Sequence, residues 1–248
     1  MLTKCFVDGG TFASIGGADG EDWLNVTQAK FGDLYFDASS IILVFRDDTR
    51  IKDVDDVLIN FTGFDSIVLE DSHIGARTIF FTVNRFFNAT NSQVNNSKKL
   101  QINAPEINLV DSSLNVSSIS SGYILLYAHF LQANSGSFIK SSQTFSIYDW
   151  VNSEADRVEN GVFNFHGTLD ASGIAKIFAK ATTVRVNKMF GSSVYITGKS
   201  VTLGFDYKDN PVVGKVGIPT GKVVITSFGN LIQKVGVKIV GKNITHYS

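Results

Sequence analysis

The chain is poor in the residues that staple or break structure. Its 248 residues include one cysteine, three prolines and two methionines. A lone Cys5 excludes a disulfide framework and a cysteine-based zinc cage. Charged residues make up only 18%, against 44% apolar, which excludes an intrinsically disordered chain. A formal net charge of −1 excludes a polyanion binder on the scale of the whole chain. Long apolar stretches are missing too. The longest, Tyr123 to Leu131, is interrupted by His129 and is far too short to cross a bilayer as a helix. The first ten residues carry Lys4 but no apolar run, so no export leader and no membrane insertion are expected.

Local signatures of catalysis are equally scarce. His73, His129, His166 and His246 are scattered and form none of the short His-x-His or His-Glu-x-x-His spacings, so no metal site and no cofactor are expected. Gly-x-Ser-x-Gly, Gly-x-Gly-x-x-Gly and phosphate-loop patterns are missing from the chain. Serine hydrolase, dinucleotide and nucleotide-triphosphate readings therefore lack their local chemistry, and no catalytic residue is assigned. Acidic turns at 16–22 and 47–56 are read as solvated loops, because their spacing does not match a calcium loop.

What the chain has in abundance is glycine, 22, and phenylalanine, 20, and charge is distributed unevenly. Residues 1–96 hold fourteen acidic against seven basic side chains; residues 97–248 hold nine against fifteen. This asymmetry divides the chain into two expected units, 1–96 and 97–248. Between them, Asn88 to Ser97 is polar and uncharged and reads as a linker or exposed loop. The first unit reads as a small α+β domain. Ser40–Phe45, Val57–Phe61 and Ser66–Glu70 form a meander, and Ile79, Phe80, Val83, Phe86 and Phe87 mark one face of an amphipathic helix at about 72–89, capped by Asp71 or Ser72.

The second unit reads as β throughout. Leu100/Ile102, Ile107/Leu109 and Leu114/Val116 are apolar pairs with an internal spacing of two and a step of seven. Val194/Ile196 and Val201/Leu203 repeat the step, preceded by Val184/Val186. A spacing of two places both members on one face of a strand. The separators Asn103-Ala104-Pro105-Glu106, Asp111-Ser112-Ser113 and Gly198-Lys199-Ser200 are turn-forming. Three short strands joined by tight bends make one coil of roughly twenty residues, so a mainly β fold is expected, with a β-solenoid favoured over a β-sandwich or jelly roll.

At the level of strand and bend, 100–116 and 184–203 resemble the repeat-type β-solenoids of large adhesins and of phage fibres and tailspikes. The resemblance implies a surface or virion role and carries over no functional residue. With it, the leading expectation is a non-enzymatic structural component of a virus particle, such as a phage fibre, spike or capsid-associated protein. Such a chain is made in the host cytoplasm and partners with itself, as a trimer, and with other virion proteins. Eleven lysines and arginines follow Ala171, only one of them arginine; this favours protection of strand edges or contact with the acidic unit of a neighbouring copy over nucleic-acid binding.

The candidate binding loop is Tyr148 to Asn160. Tyr148 and Trp150 have the flat rings that stack on sugars, and Asp149, Asn152 and Arg157 have the polar groups that bond hydroxyls, so a host-surface glycan is the ligand these residues fit. Carbohydrate-binding adhesin is therefore the alternative function. A polysaccharide-cleaving enzyme is the third, drawing a carboxylate pair from Asp149, Glu154, Asp156 and Glu159. A plain solvated connection between coils competes with both.

Overall fold

The computed structural model describes residues 58–150, 161–205 and 213–247, and before them six short strands between Phe6 and Ile51. Those described residues that are regular are all strand, and every strand pairing is parallel. The chain winds as a β-solenoid of about eight turns. In the regular turns a residue pairs with the one twenty positions on: Ile67 with Phe87, and Phe87 with Ile107.

Each turn contributes to three sheets. Sheet I runs through Ile79, Leu100, Ile124, Phe145, Ala175, Val194 and Val223. Sheet II runs through Ile67, Phe87, Ile107, Leu131, Phe163, Val184 and Val201. Sheet III runs through Ile74, Val94, Leu114, Ile139, Leu169, Met189 and Val216. All of these side chains are at most 1% exposed. The three expected pairs, Leu100/Ile102, Ile107/Leu109 and Leu114/Val116, thus occupy the three sheets of a single turn, pointing inward. Size is balanced between neighbours in the stack: Ala133 pairs with Phe165 on sheet II and Phe145 with Ala175 on sheet I, which keeps the packed volume even.

The corner between sheets II and III repeats as an Asx-Ser step. Asp71, Asn91 and Asp111 adopt left-handed φ of 50°, 47° and 49°, a conformation that Asp and Asn tolerate better than bulkier residues. The following serines, Ser72, Ser92 and Ser112, are buried. The Ser72 N–H donates to Ser92 Oγ at 3.0 Å, and the Ser92 N–H donates to Ser112 Oγ at 3.0 Å. Each hydroxyl donates in turn to the carbonyl two residues back, Ser92 to Thr90 at 2.8 Å. Outside this line the Asn91 amide donates to Asp71 Oδ1 at 2.6 Å. Ser92→Ala removes an acceptor from a buried N–H that has no water to turn to, and is expected to cost about 1–3 kcal/mol in denaturant unfolding. Exposed Gln93→Ala on the same corner is expected to stay within about 0.5 kcal/mol.

Three expectations for the first unit are corrected. His73–Thr90 is a strand that bends around a corner, and no helix occupies 72–89. Ile79, Phe81 and Val83 alternate inward along sheet I, while Phe80 is only half-buried and faces out. Asn84 and Arg85 are both exposed at the corner. The inward alternation keeps its parity from Ile79 to Ala89, interrupted only where Arg85 turns out at the corner, and the half-buried Phe80 and Phe86 add the apolar residues that imitate a helical face. Nor is 88–97 a linker: Asn88, Ala89 and Thr90 complete a strand, Asn91-Ser92 make the corner, and Gln93–Asn103 begins the next turn. The expected division at 96/97 falls inside this last strand. The strands expected to form a meander pair in parallel, Leu43 with Ile67. The acidic turns at 16–21, 47–48 and 53–56 lie outside the described residues. Among the described residues no helix is long and apolar enough to cross a membrane.

Candidate functional site

A parallel, in-register stack places the same outward position of successive turns directly above one another, about 4.8 Å apart. On sheet I this creates an aromatic column, because Tyr127 pairs with Tyr148 and Tyr148 with Phe178. The two tyrosine rings stack at 5.3 Å and 19°, and Phe178 meets Tyr148 edge-on at 6.4 Å and 61°. Lys176 Nζ lies 5.2 Å from the Tyr148 ring centre and 5.1 Å from that of Phe178. Lys180 Nζ bridges Phe178 at 5.3 Å and exposed Phe228 at 5.9 Å. The result is a flat aromatic strip rimmed by ammonium groups.

Tyr148 therefore faces outward on this strip. Asp149, one residue on, takes the inward register opposite Ala128 and lies half-buried at the corner leading to sheet II. There its carboxylate accepts the Ala181 N–H at 3.2 Å and the Thr182 hydroxyl. Trp150 follows, half-buried, with its N–H donating to the Ala128 carbonyl at 2.7 Å. The strand thus turns Tyr148 and Asp149 to opposite sides. Asn152 and Arg157, with Glu154, Asp156 and Glu159, lie outside the described residues.

Burial pushes the Asp149 carboxyl above its ordinary 3.8, against the smaller opposing pull of Thr182, Ala181 and His129. Burial likewise holds His129 below 6.5, with Asp149 pulling the other way. A carboxyl that binds its proton more tightly in the folded chain lends stability in acid, and that stability is lost as pH climbs through its folded value. For His129 the sign is reversed, since the unfolded chain takes up the proton first as pH falls below 6.5. Asp149→Asn is accordingly expected to gain thermal stability relative to the parent as pH rises from about 4 to about 7. A melting-temperature difference that is flat over this range, or that runs the other way, contradicts the assignment.

Sheet II carries a different outer surface. Asn88, Asn108, Gln132, Asn164 and Arg185 share one outward register on consecutive turns. They line or adjoin a groove of about 590 Å³ whose lining includes Glu106, Asn108, Gln132, Asn164, His166, Arg185 and Phe205. One wall is built from within. Gly204 takes φ +79°, a conformation open to glycine at little cost. Buried Asn187 then grips the next peptide on both sides, accepting the Phe205 N–H at 2.8 Å and donating to the Phe205 carbonyl at 2.7 Å. The Phe205 ring is held 4.6 Å from the His166 ring and 5.7 Å from the Arg185 guanidinium carbon.

Sequence reasoning passed over this groove although its signal was present. In Ile107-Asn108-Leu109, Leu131-Gln132-Ala133, Phe163-Asn164-Phe165 and Val184-Arg185-Val186, the residue between two inward members has to face out. On sheet III the same logic aligns Lys188, Lys215 and Lys238 on consecutive turns, a basic column in which like charges stand one strand spacing apart. Among the described residues no group of three or more His, Cys, Asp or Glu side chains is placed to hold a metal ion. Comparison with protein-family models, curated proteins and solved structures finds no match for this chain.

Proposed function

We propose that the protein is a non-enzymatic structural component of a virus particle, of the phage fibre, spike or capsid-associated kind, and that it self-associates as a trimer. The observation that carries this reading is the unbroken solenoid, in which one turn's interior is continuous with the next and nearly every inward side chain serves packing. Such a stack is a stiff scaffold that presents fixed columns of side chains to its surroundings. Its outer faces favour association: Phe130, Phe138, Ile174, Phe178 and Phe228 are 37–62% exposed, more large apolar surface than a solitary stack has reason to display. The lysine column on sheet III offers a complement to the acidic N-terminal part of a neighbouring copy.

Light scattering on the purified chain is expected to give three times its 27.0 kDa mass, and a monodisperse monomer rejects the trimer. Peptide mass spectrometry of density-purified particles from producing cells is expected to find the chain at stoichiometric levels. Its recovery only in the soluble cell fraction rejects the virion assignment.

The aromatic strip of Tyr127, Tyr148 and Phe178 favours a second reading, a carbohydrate-binding adhesin, since flat exposed rings accept the apolar faces of sugars. Loss of glycan retention in Tyr148→Ala supports it. The cleaving-enzyme reading has less support, because Asp149 is engaged with Ala181 and Thr182.

A further inference from the structure

We infer that the groove on the outer face of sheet II is a carbohydrate-binding site that takes a short stretch of glycan laid along the stack. The inference stands whether or not the chain belongs to a particle. The groove's volume of about 590 Å³ lies within the range of small-ligand sites, and its polar groups repeat along it. Asn108, Gln132 and Asn164 occupy one register on three successive turns, so their amides recur at about 4.8 Å. An amide offers two donors and an acceptor in one plane, a set suited to the neighbouring hydroxyls of a sugar ring. A ladder of amides repeats that offer along a chain of sugars.

Part of this capacity is unused inside the protein. Asn164 Oδ1 is buried and has no hydrogen-bond partner among the described residues, and such an atom is costly unless something donates to it. Gln132 is exposed, with its side chain over the middle of the ladder. Asn108, by contrast, is already positioned, donating to Asn88 Oδ1 at 2.9 Å and to Glu106 Oε1 at 2.7 Å. Phe205, only 1% exposed and held by Asn187, backs the groove from within by packing against His166 and Arg185.

Other ligand classes fit less well. A peptide adding itself as a strand needs free main-chain groups, and those of sheet II are bonded from turn to turn. A nucleic acid needs several cations, whereas among the described residues the groove is lined by one arginine or lysine, Arg185, and one carboxylate, Glu106. A lipid tail needs an apolar trough. Both neutral and acidic glycans match the donor set, with Arg185 at the end where a sugar carboxylate is accommodated.

The test is an array of neutral, N-acetylated and acidic oligosaccharides probed with the full chain. At least one glycan is expected to be retained. The Gln132→Ala, Asn164→Ala double variant is expected to weaken that binding at least tenfold, and Gln93→Ala, exposed and outside the groove, to leave it unchanged. Gln132→Trp fills the groove from an exposed position that the fold does not depend on, and is expected to abolish retention with an unaltered melting temperature. Retention of no glycan on the array overturns the inference. So does binding that survives Gln132→Trp, or that is lost only when Tyr148 is removed.

Discussion

Phe81→Ala is expected to lower the unfolding free energy by about 3–5 kcal/mol. Phe81 joins turns as well as faces. Along sheet I its ring stacks on that of Phe61, its partner one turn earlier, at 5.6 Å and 14°. Across the interior it stacks on Phe87 of sheet II at 5.3 Å and 27°. Phe64 then meets Phe61 edge-on at 6.0 Å, so truncating the middle ring leaves a void between aromatic neighbours that cannot all collapse into it. All four rings are at most 1% exposed. In a stacked repeat each turn depends chiefly on its neighbours, so the damage should be local. Hydrogen exchange is expected to accelerate first at 61–89, ahead of the turns beyond 160. Phe81→Leu, which keeps most of the volume, is expected to lose less than half as much. A loss below about 1 kcal/mol for alanine would contradict the packing described.

Gly217→Ala is the second large effect. Gly217 adopts φ +87°, and a Cβ there would lie 2.1 Å from the Val240 carbonyl oxygen and 2.5 Å from Val223 Cγ2. The obstruction is backbone that is already bonded in place: the Gly217 N–H donates to the Met189 carbonyl at 2.8 Å, and the Val240 N–H to the Val216 carbonyl at 2.8 Å. Left-handed strain of about 1–2 kcal/mol therefore adds to an overpacking penalty of about 1–3 kcal/mol. A total near 3 kcal/mol is expected in urea unfolding. Gly241→Ala is the comparison, since its new Cβ would come no closer than 3.0 Å, to the Gly221 carbonyl oxygen, without a positive φ. It should cost clearly less, and equal losses at the two positions would refute the conformational argument.

Much of the fold was readable from residue spacing, for a physical reason. Inward positions on a solenoid admit little but aliphatic and aromatic side chains, so Leu100/Ile102, Ile107/Leu109 and Leu114/Val116 each kept the period of two within a strand while the step of seven carried the pattern across the bends. The turn length broke down where excursions enter between sheets. On sheet II, 20 residues separate Phe87 from Ile107, but Leu131 pairs with Phe163, 32 residues on. The misread helix at 72–89 came from a corner without glycine or proline, where Arg85 leaves the inward row for one position and the half-buried Phe80 and Phe86 complete an apparent helical spacing. Asn88 to Ser97 looked like a linker because polarity was taken for solvent exposure, whereas Ser92 and Asn96 are buried at corners and bond neighbouring backbone.

The candidate site was less legible. Tyr148 was found because aromatic residues stand out against an Asn- and Ser-rich background, but adjacency in sequence set Tyr148 and Asp149 together where the pleat sets them apart. The sheet II groove depends on residues 20 to 32 apart that meet only when the turns stack. Its wall depends on Asn187 holding the Phe205 backbone, a contact no local pattern announces.

Parallel winding also decides how this chain yields to force. Its strands lie across the long axis, so the hydrogen bonds between turns run along that axis, and tension applied to the two ends opens them singly, like teeth of a zip, instead of shearing a whole row at once. Sideways loads are shared among three walls and many coils. Resistance to tearing is thus weakest at whichever terminal coil is left ungripped, and an anchor at that point would toughen the entire rod.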